Sequence, residues 1–207
     1  MKSAGWAALA VAVAAASVVA CAASSSGPAT PSTSAGSANT GTANPAEAGP
    51  PQYAADVVRS AAEAGIDPQL LMAILYNESY KPHDPASERA WQKIKPDAAF
   101  GVANMHKATF DETKRGRPFA DRDWQELPDH PDLAIEAAAW YLHDLEAQLP
   151  AARSGHTTDE LLALGYNTGP GNMRAFARGT RLGPAAQSYL DETHQNWDKA
   201  AEALKNA

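Results

Sequence analysis

From about position 52 onward, apolar residues recur at intervals of three and four, the spacing that lines one face of a helix, and no convincing run alternates like a strand. A first helix is expected from about Gln52 to Ala64, stopped by Gly65. Asp67-Pro68 then supplies an N-cap and a first-turn proline for a second helix, Gln69 to about Ser79. A third begins near Met105 or Lys107, and Asp132 to Leu149 reads as a long amphipathic helix closed by Pro150. Thr157 and Glu160 form a capping box ahead of Leu161-Leu162-Ala163-Leu164. A short helix over Asn172 to Arg178 and a long one over Ala185 to Ala203 complete the chain. Gly and Pro mark the junctions and there is no internal repeat. The pattern predicts one all-α, or mainly α, domain over residues 51–207.

The first fifty residues follow different rules. Lys2 gives a short positive start, Trp6 to Ala16 an apolar stretch, and small residues follow, as in a secretory signal. Val18-Val19-Ala20-Cys21 resembles the bacterial lipobox, in which the Cys thiol takes a diacylglyceryl group before cleavage. Residues 1–21 therefore read as a lipoprotein signal, with Cys21 as the lipidation site tying the protein to the outer face of the cytoplasmic membrane, in the cell envelope. From Ala22 to about Pro50 the chain is Ala, Ser, Gly, Thr and Pro, with almost no charge and no large apolar side chain. Such a segment cannot bury enough surface to offset ordering entropy, so residues 22–50 read as a disordered tether.

Charge and composition narrow the function. A net charge of -7 and a pI near 5.3 give no footprint for nucleic acid. Cys21 is the only cysteine, so no internal disulfide can form and the folded domain has no reactive thiol. The six histidines form no metal-binding spacing and are expected at the surface. No phosphate-binding loop and no Gly-x-Ser-x-Gly elbow is present. Neither a metal nor a cofactor is expected, and the domain is read as a monomer.

Within the second helix, Glu78 follows Leu71 by seven, Ile74 by four and Leu75 by three, which places its carboxyl at the end of the apolar stripe. Partial desolvation and the negative end of the helix dipole both favour the protonated form. A carboxylic acid of this kind can protonate a glycosidic oxygen. The other reading is a helix-end Glu paired with a nearby cation.

The order of segments around Glu78 decides between these. Ile66-Asp67-Pro68-Gln69-Leu70-Leu71-Met72-Ala73-Ile74, then Asn77-Glu78-Ser79, resembles the opening of the soluble lytic transglycosylase catalytic domain, whose fold is lysozyme-like. Gly101-Val102-Ala103-Asn104-Met105 with Ala108-Thr109 resembles that family's Gly-Leu-Met-Gln segment and its Ala-Thr. Ile135 with Tyr141-Leu142 resembles the helix that follows, and Gly165-Tyr166-Asn167-Thr168-Gly169-Pro170-Gly171 its Ala-Tyr-Asn-Ala-Gly-Pro-Gly. Tyr189 falls where a final Tyr often stands. The resemblance covers nearly all of residues 52–197.

The resemblance implies that Glu78 is catalytic, and that Ser79, Gly101, Asn104, Tyr166, Asn167 and Tyr189 line the substrate site. Gly101, Gly169 and Gly171 suit close backbone approach and tight turns. Tyr166 is expected to bring its hydroxyl near the Glu78 carboxyl, or else to be a half-buried core aromatic. The amides of Asn104 and Asn167 match N-acetyl and hydroxyl groups. Most glycosidases use two carboxyls. Here Asp84, Glu88, Asp97, Asp111 and Glu112 lie in loop-like sequence and none stands at a matching position. The family's route needs one carboxyl. Glu78 protonates the oxygen between N-acetylmuramic acid and N-acetylglucosamine, then takes the proton of the muramic C6 hydroxyl as that oxygen attacks C1. The product is a 1,6-anhydro ring.

Three departures bear on this. Ala103-Asn104 replaces the family's Met-Gln, Lys107 replaces a frequent proline, and the gap from Glu78 to Gly101 is longer than usual. In that gap Trp91 is read as pinning the loop to the core, with stacking on a sugar face as the other reading. A lytic transglycosylase of peptidoglycan is the leading expectation. A lysozyme-like hydrolase of this or a related glycan, and a non-catalytic wall-binding lipoprotein on the same fold, are the alternatives. The altered Ala103-Asn104 pair points to the last, and Glu78, Tyr166 and Asn167 point away from it.

Overall fold

The computed structural model describes residues 49–80, 83–205 and 207 of the 207-residue chain. The expected signal with Cys21, and the expected tether as far as Ala48, lie outside the described residues. Pro50, placed at the end of the tether, is buried and opens a short 3-10 turn, Pro50–Tyr53, that leads into the first helix.

The described residues form eight α-helices and one small hairpin, so the domain is mainly α. Helix α1 (Ala54–Ala64) ends at Gly65, whose φ of 72° is the left-handed value that lets its N–H return to the carbonyl of Ala61. Helix α2 (Pro68–Glu78) starts where Asp67 accepts a hydrogen bond from the N–H of Gln69 at 2.7 Å. The helix carries no one-sided stripe: Leu70, Leu71, Met72, Ala73, Ile74 and Leu75 are all buried, and they span every side of it. It is the central helix, packed on α1 and α8 (Pro184–Leu204), and it leaves the core only at its ends, where Pro68, Gln69, Tyr76 and Glu78 are part-exposed. Glu78 is thus placed by the length of a buried helix rather than by the edge of an apolar face.

Around this centre, α5 (Pro131–Glu146) packs on α1, and α6 (Thr158–Thr168) packs on α7 (Pro170–Ala177) and α8. The Thr157–Glu160 capping box is present, with reciprocal bonds of 3.1 and 2.8 Å. Gly165 allows the close approach of α6 to α7, since a Cβ there would lie 2.7 Å from the Met173 sulfur.

Two elements depart from expectation, one within the long gap after Glu78 and one at its end. Residues Pro85–Ile94 form a helix, α3; Asp84 lies in the loop before it and caps it, whereas Glu88 is helical and not in loop. Asp111 and Glu112 likewise belong to a helix, α4 (Lys107–Thr113). Helix α3 escapes a periodicity reading because its single buried residue is Glu88, while Trp91 and Ile94 are 47% and 69% exposed. Trp91 does not pin the loop to the core; its ring lies beneath the Lys95 ammonium, 5.2 Å from the centroid. The second element is an antiparallel hairpin, β1 (Ala99–Phe100) and β2 (Met105–His106), with Ala99 opposite His106 and Phe100 opposite Met105. Strands of two residues are too short to show alternation. Buried Trp124 fixes the hairpin from below, donating its indole N–H to the Met105 carbonyl at 2.9 Å and packing edge-on against Phe100. The histidines are also more varied than expected: His83, His143 and His156 are part-buried.

Buried polar bonds fasten α2 to α8. Asn77 is 6% exposed and donates through Nδ2 to Thr193 Oγ1 at 2.8 Å and to the Tyr189 carbonyl at 3.3 Å, while Asn196 donates to its Oδ1 at 2.9 Å. Asn77→Ala removes the bonds from Asn77 to Thr193 and Asn196, although Thr193 still donates to the Tyr189 carbonyl, and is expected to cost about 1–3 kcal/mol, read as a lower urea midpoint with the same helix content. An unchanged midpoint would show that the clamp contributes nothing.

Candidate active site

At the end of α2, Glu78 is half-exposed and faces two other parts of the chain. Tyr189, in the second turn of α8, donates its hydroxyl to Glu78 Oε1 at 2.9 Å. Asn104, at the foot of the hairpin turn, donates Nδ2 to Glu78 Oε2 and to the Glu78 backbone carbonyl, each at 3.0 Å. Each carboxyl oxygen thus has a named donor from a different segment.

The turn that delivers Asn104 uses the left-handed region twice. Gly101 has φ 72° and Asn104 φ 45°, and the Asn104 N–H returns to the Gly101 carbonyl at 2.9 Å. Asn is among the few side-chain residues that enter this region at modest cost. Asn104 satisfies the turn and reaches Glu78. Asn104 Oδ1 is buried and has no hydrogen-bond partner among the described residues. Gly101 differs from expectation: it is buried, and a Cβ there would meet Leu127 and Ala134 at 3.0–3.2 Å, so its missing side chain accommodates protein rather than sugar.

Tyr166 is the half-buried aromatic of its second reading, packed against the core and near enough to Glu78 to feel its charge. Its hydroxyl donates to the Ala103 carbonyl at 2.6 Å and not to Glu78. It braces the same turn from the α6 side, with its ring tilted against Tyr141 at 5.6 Å. Asn104, Met105, His106, Thr109, Tyr141 and Tyr166 enclose a small cavity of about 30 Å³ next to the turn. Ala103 is fully buried, so the family's Met is replaced by a residue the core closes over. Ser79 caps α2 and donates its hydroxyl back to the Tyr76 carbonyl at 2.8 Å. Asn167 is exposed near the end of α6, outside the Glu78–Asn104–Tyr189 network. Gly169 joins α6 to α7 with φ 85°, a turn that favours glycine.

Two groups near the site carried no clear signal in the sequence. Asn77 precedes Glu78 and holds α8, hence Tyr189, against α2; a polar residue in the most buried helix was the available hint. Glu88 is 7% exposed and accepts from the Gly101 N–H at 2.9 Å and from His83 Nδ1 at 3.0 Å. It engages the turn and His83.

Residues 57–184, more than half of the 207-residue chain, match the family model described as the transglycosylase SLT domain. The chain belongs to that family. No curated protein matches it. Membership makes this SLT domain a transglycosylase-type enzyme whose general substrate is peptidoglycan. The matched span holds Glu78, Asn104 and Tyr166 but stops before Tyr189, which the fold brings back to Glu78.

The tyrosines of this SLT domain are held as phenols. Burial first, then the Glu78 charge, pushes the hydroxyls of Tyr166 and Tyr189 well above 10.0, and burial pushes Tyr141 up to about 12. The folded state holds these protons more tightly than the unfolded chain. Their stabilisation is therefore complete below about pH 10 and is lost as pH rises through the folded values. At pH 10, Tyr189→Phe is expected to leave the phenolate absorbance of the native protein unchanged. A loss near half a phenolate would place Tyr189 in ordinary solvent.

Proposed function

We propose that the chain is a lytic transglycosylase that cleaves the β-1,4 bond between N-acetylmuramic acid and N-acetylglucosamine with formation of 1,6-anhydro-N-acetylmuramic acid, and that Glu78 is its single catalytic carboxyl. The observation that carries this reading is the two-sided grip on Glu78, from Asn104 at Oε2 and Tyr189 at Oε1. An amide N–H₂ can only donate, so Oε2 is held as an acceptor, whereas a phenol can donate to a carboxylate or accept from a carboxylic acid. Oε1 is therefore the oxygen suited to carry the proton that moves. Glu78 gives that proton to the glycosidic oxygen as the C1–O bond breaks, and the substrate's N-acetyl group stabilises the developing charge at C1. Glu78, now a carboxylate, removes the proton of the C6 hydroxyl as O6 bonds to C1. The acid is regenerated and no water is consumed.

Glu88 supports a one-carboxyl route, because its two oxygens are already committed to Gly101 and His83. Asn167 and Ser79, exposed on either side of the network, are proposed as sugar contacts, with Tyr166 and Asn104 shaping the floor between them. Residues 51–207 are proposed as the catalytic unit, working as a monomer without metal or cofactor. Residues 22–50 serve as its tether and Cys21 as its lipid attachment on the outer face of the cytoplasmic membrane.

Glu78→Gln keeps the size of the side chain and one acceptor oxygen, and its N–H₂ can donate to the Tyr189 hydroxyl, but the acid is removed. It is expected to abolish release of soluble fragments from purified peptidoglycan, with unchanged circular dichroism and melting temperature. Undiminished release by a folded Glu78→Gln protein would end the assignment.

A further inference from the structure

Among the described residues, Glu88 is the one buried carboxylate, and the proposed reaction has no use for it. It is 7% exposed on a helix whose other residues face solvent or lie at its border, and it forms the only buried anchor of α3. Burying a carboxylate is costly unless its oxygens are satisfied. Both are: Oε2 accepts from the Gly101 N–H at 2.9 Å, and Oε1 faces His83 Nδ1 at 3.0 Å.

The partner at Oε2 gives the bond its meaning. Gly101 opens the turn that ends at Asn104; its N–H points to Glu88 and its carbonyl accepts from the Asn104 N–H at 2.9 Å. Asn104 sits in the left-handed region, and its Nδ2 holds both the carboxyl and the backbone carbonyl of Glu78. A continuous run of hydrogen bonds therefore joins Glu88 to Glu78 through one turn. The opposite side of the turn is held by Tyr166 at the Ala103 carbonyl, and its base by Trp124 at the Met105 carbonyl. With Glu88 removed, the first residue of the turn loses its only side-chain anchor, and a buried N–H is left unpaired.

We infer that Glu88, on the helix inserted between Glu78 and the hairpin, is a positioning residue that sets the Asn104–Glu78 contact by pinning the Gly101 N–H. The inference rests on the transglycosylase reading, because the consequence of the contact is catalytic.

The test compares the full chain with Glu88→Ala, Glu88→Gln, Asn104→Ala and the Glu88→Ala/Asn104→Ala double variant on soluble, uncross-linked glycan strands. Displacing a reacting group by about 1 Å costs up to roughly 100-fold in rate, so Glu88→Ala is expected to lower kcat by about 10- to 100-fold with KM nearly unchanged. Glu88→Gln keeps an oxygen for the Gly101 N–H and is expected to recover most of kcat. In the Asn104→Ala background, adding Glu88→Ala is expected to cost little more, because the two act in series. Full kcat in Glu88→Ala would overturn the assignment. So would losses that multiply in the double variant, or a Glu88→Gln enzyme no better than Glu88→Ala. A wild-type chain that releases no ends from these strands would instead refute the transglycosylase reading itself, which separates the two failures. Should Glu88→Ala fold poorly, the kcat of Glu88→Gln relative to its aspartate counterpart, Glu88→Asp, decides. The shorter Asp cannot reach Gly101 and is expected to be the slower; equal rates would overturn the inference.

Discussion

A carboxyl group at the exit of a fully buried helix can be aimed only by partners from elsewhere in the chain, and the domain is organised around supplying two of them to Glu78. Helix α2 is enclosed on every side, so its C-terminus is fixed against the rest of the core. From that fixed point, α8 brings Tyr189 to one oxygen and the hairpin turn brings Asn104 to the other. Both deliveries are reinforced. The buried bonds of Asn77 with Thr193, Asn196 and the Tyr189 carbonyl hold α8 in place, and Trp124, Tyr166 and Glu88 hold the turn. Preorganised donors of this kind need little rearrangement when charge moves, which suits the proposed use of one carboxyl for two proton transfers.

The Ala103-Asn104 pair takes on a different meaning in this setting. As sequence it looks like erosion of a family segment. In the fold, Ala103 offers its carbonyl to Tyr166 while its methyl is enclosed, and Asn104 accepts a positive φ that few side chains tolerate. The same residue then reaches back to Glu78. One residue therefore serves the backbone of the turn and the carboxyl together.

The helices with long buried faces were legible in the sequence, because caps and breakers mark them: Asp67 with Pro68, Gly65, and the Thr157–Glu160 box. Glu78 and Tyr189 stood out through the resemblance, and they do meet. What could not be read has physical reasons. Helix α3 buries only a charged residue, so no apolar period announces it. The hairpin is too short to alternate. Whether a tyrosine bonds a carboxyl or a carbonyl depends on distances of about an ångström or two, so sequence leaves both readings of Tyr166 open, and its hydroxyl bonds the Ala103 carbonyl. Gly101 shows the same limit, since a glycine that makes room for a ligand and one that makes room for Leu127 look alike in a sequence.

The central claim is that Glu78 alone, so held, directs the substrate's own C6 hydroxyl rather than water to C1. Chain ends show this directly. Peptidoglycan digested by the protein and treated at once with borodeuteride can be examined by mass spectrometry for new muramic ends. Ends that take up no deuterium and carry the mass of the 1,6-anhydro sugar are expected. New ends that are reduced and labelled would show that water completes the reaction, and would contradict the claim.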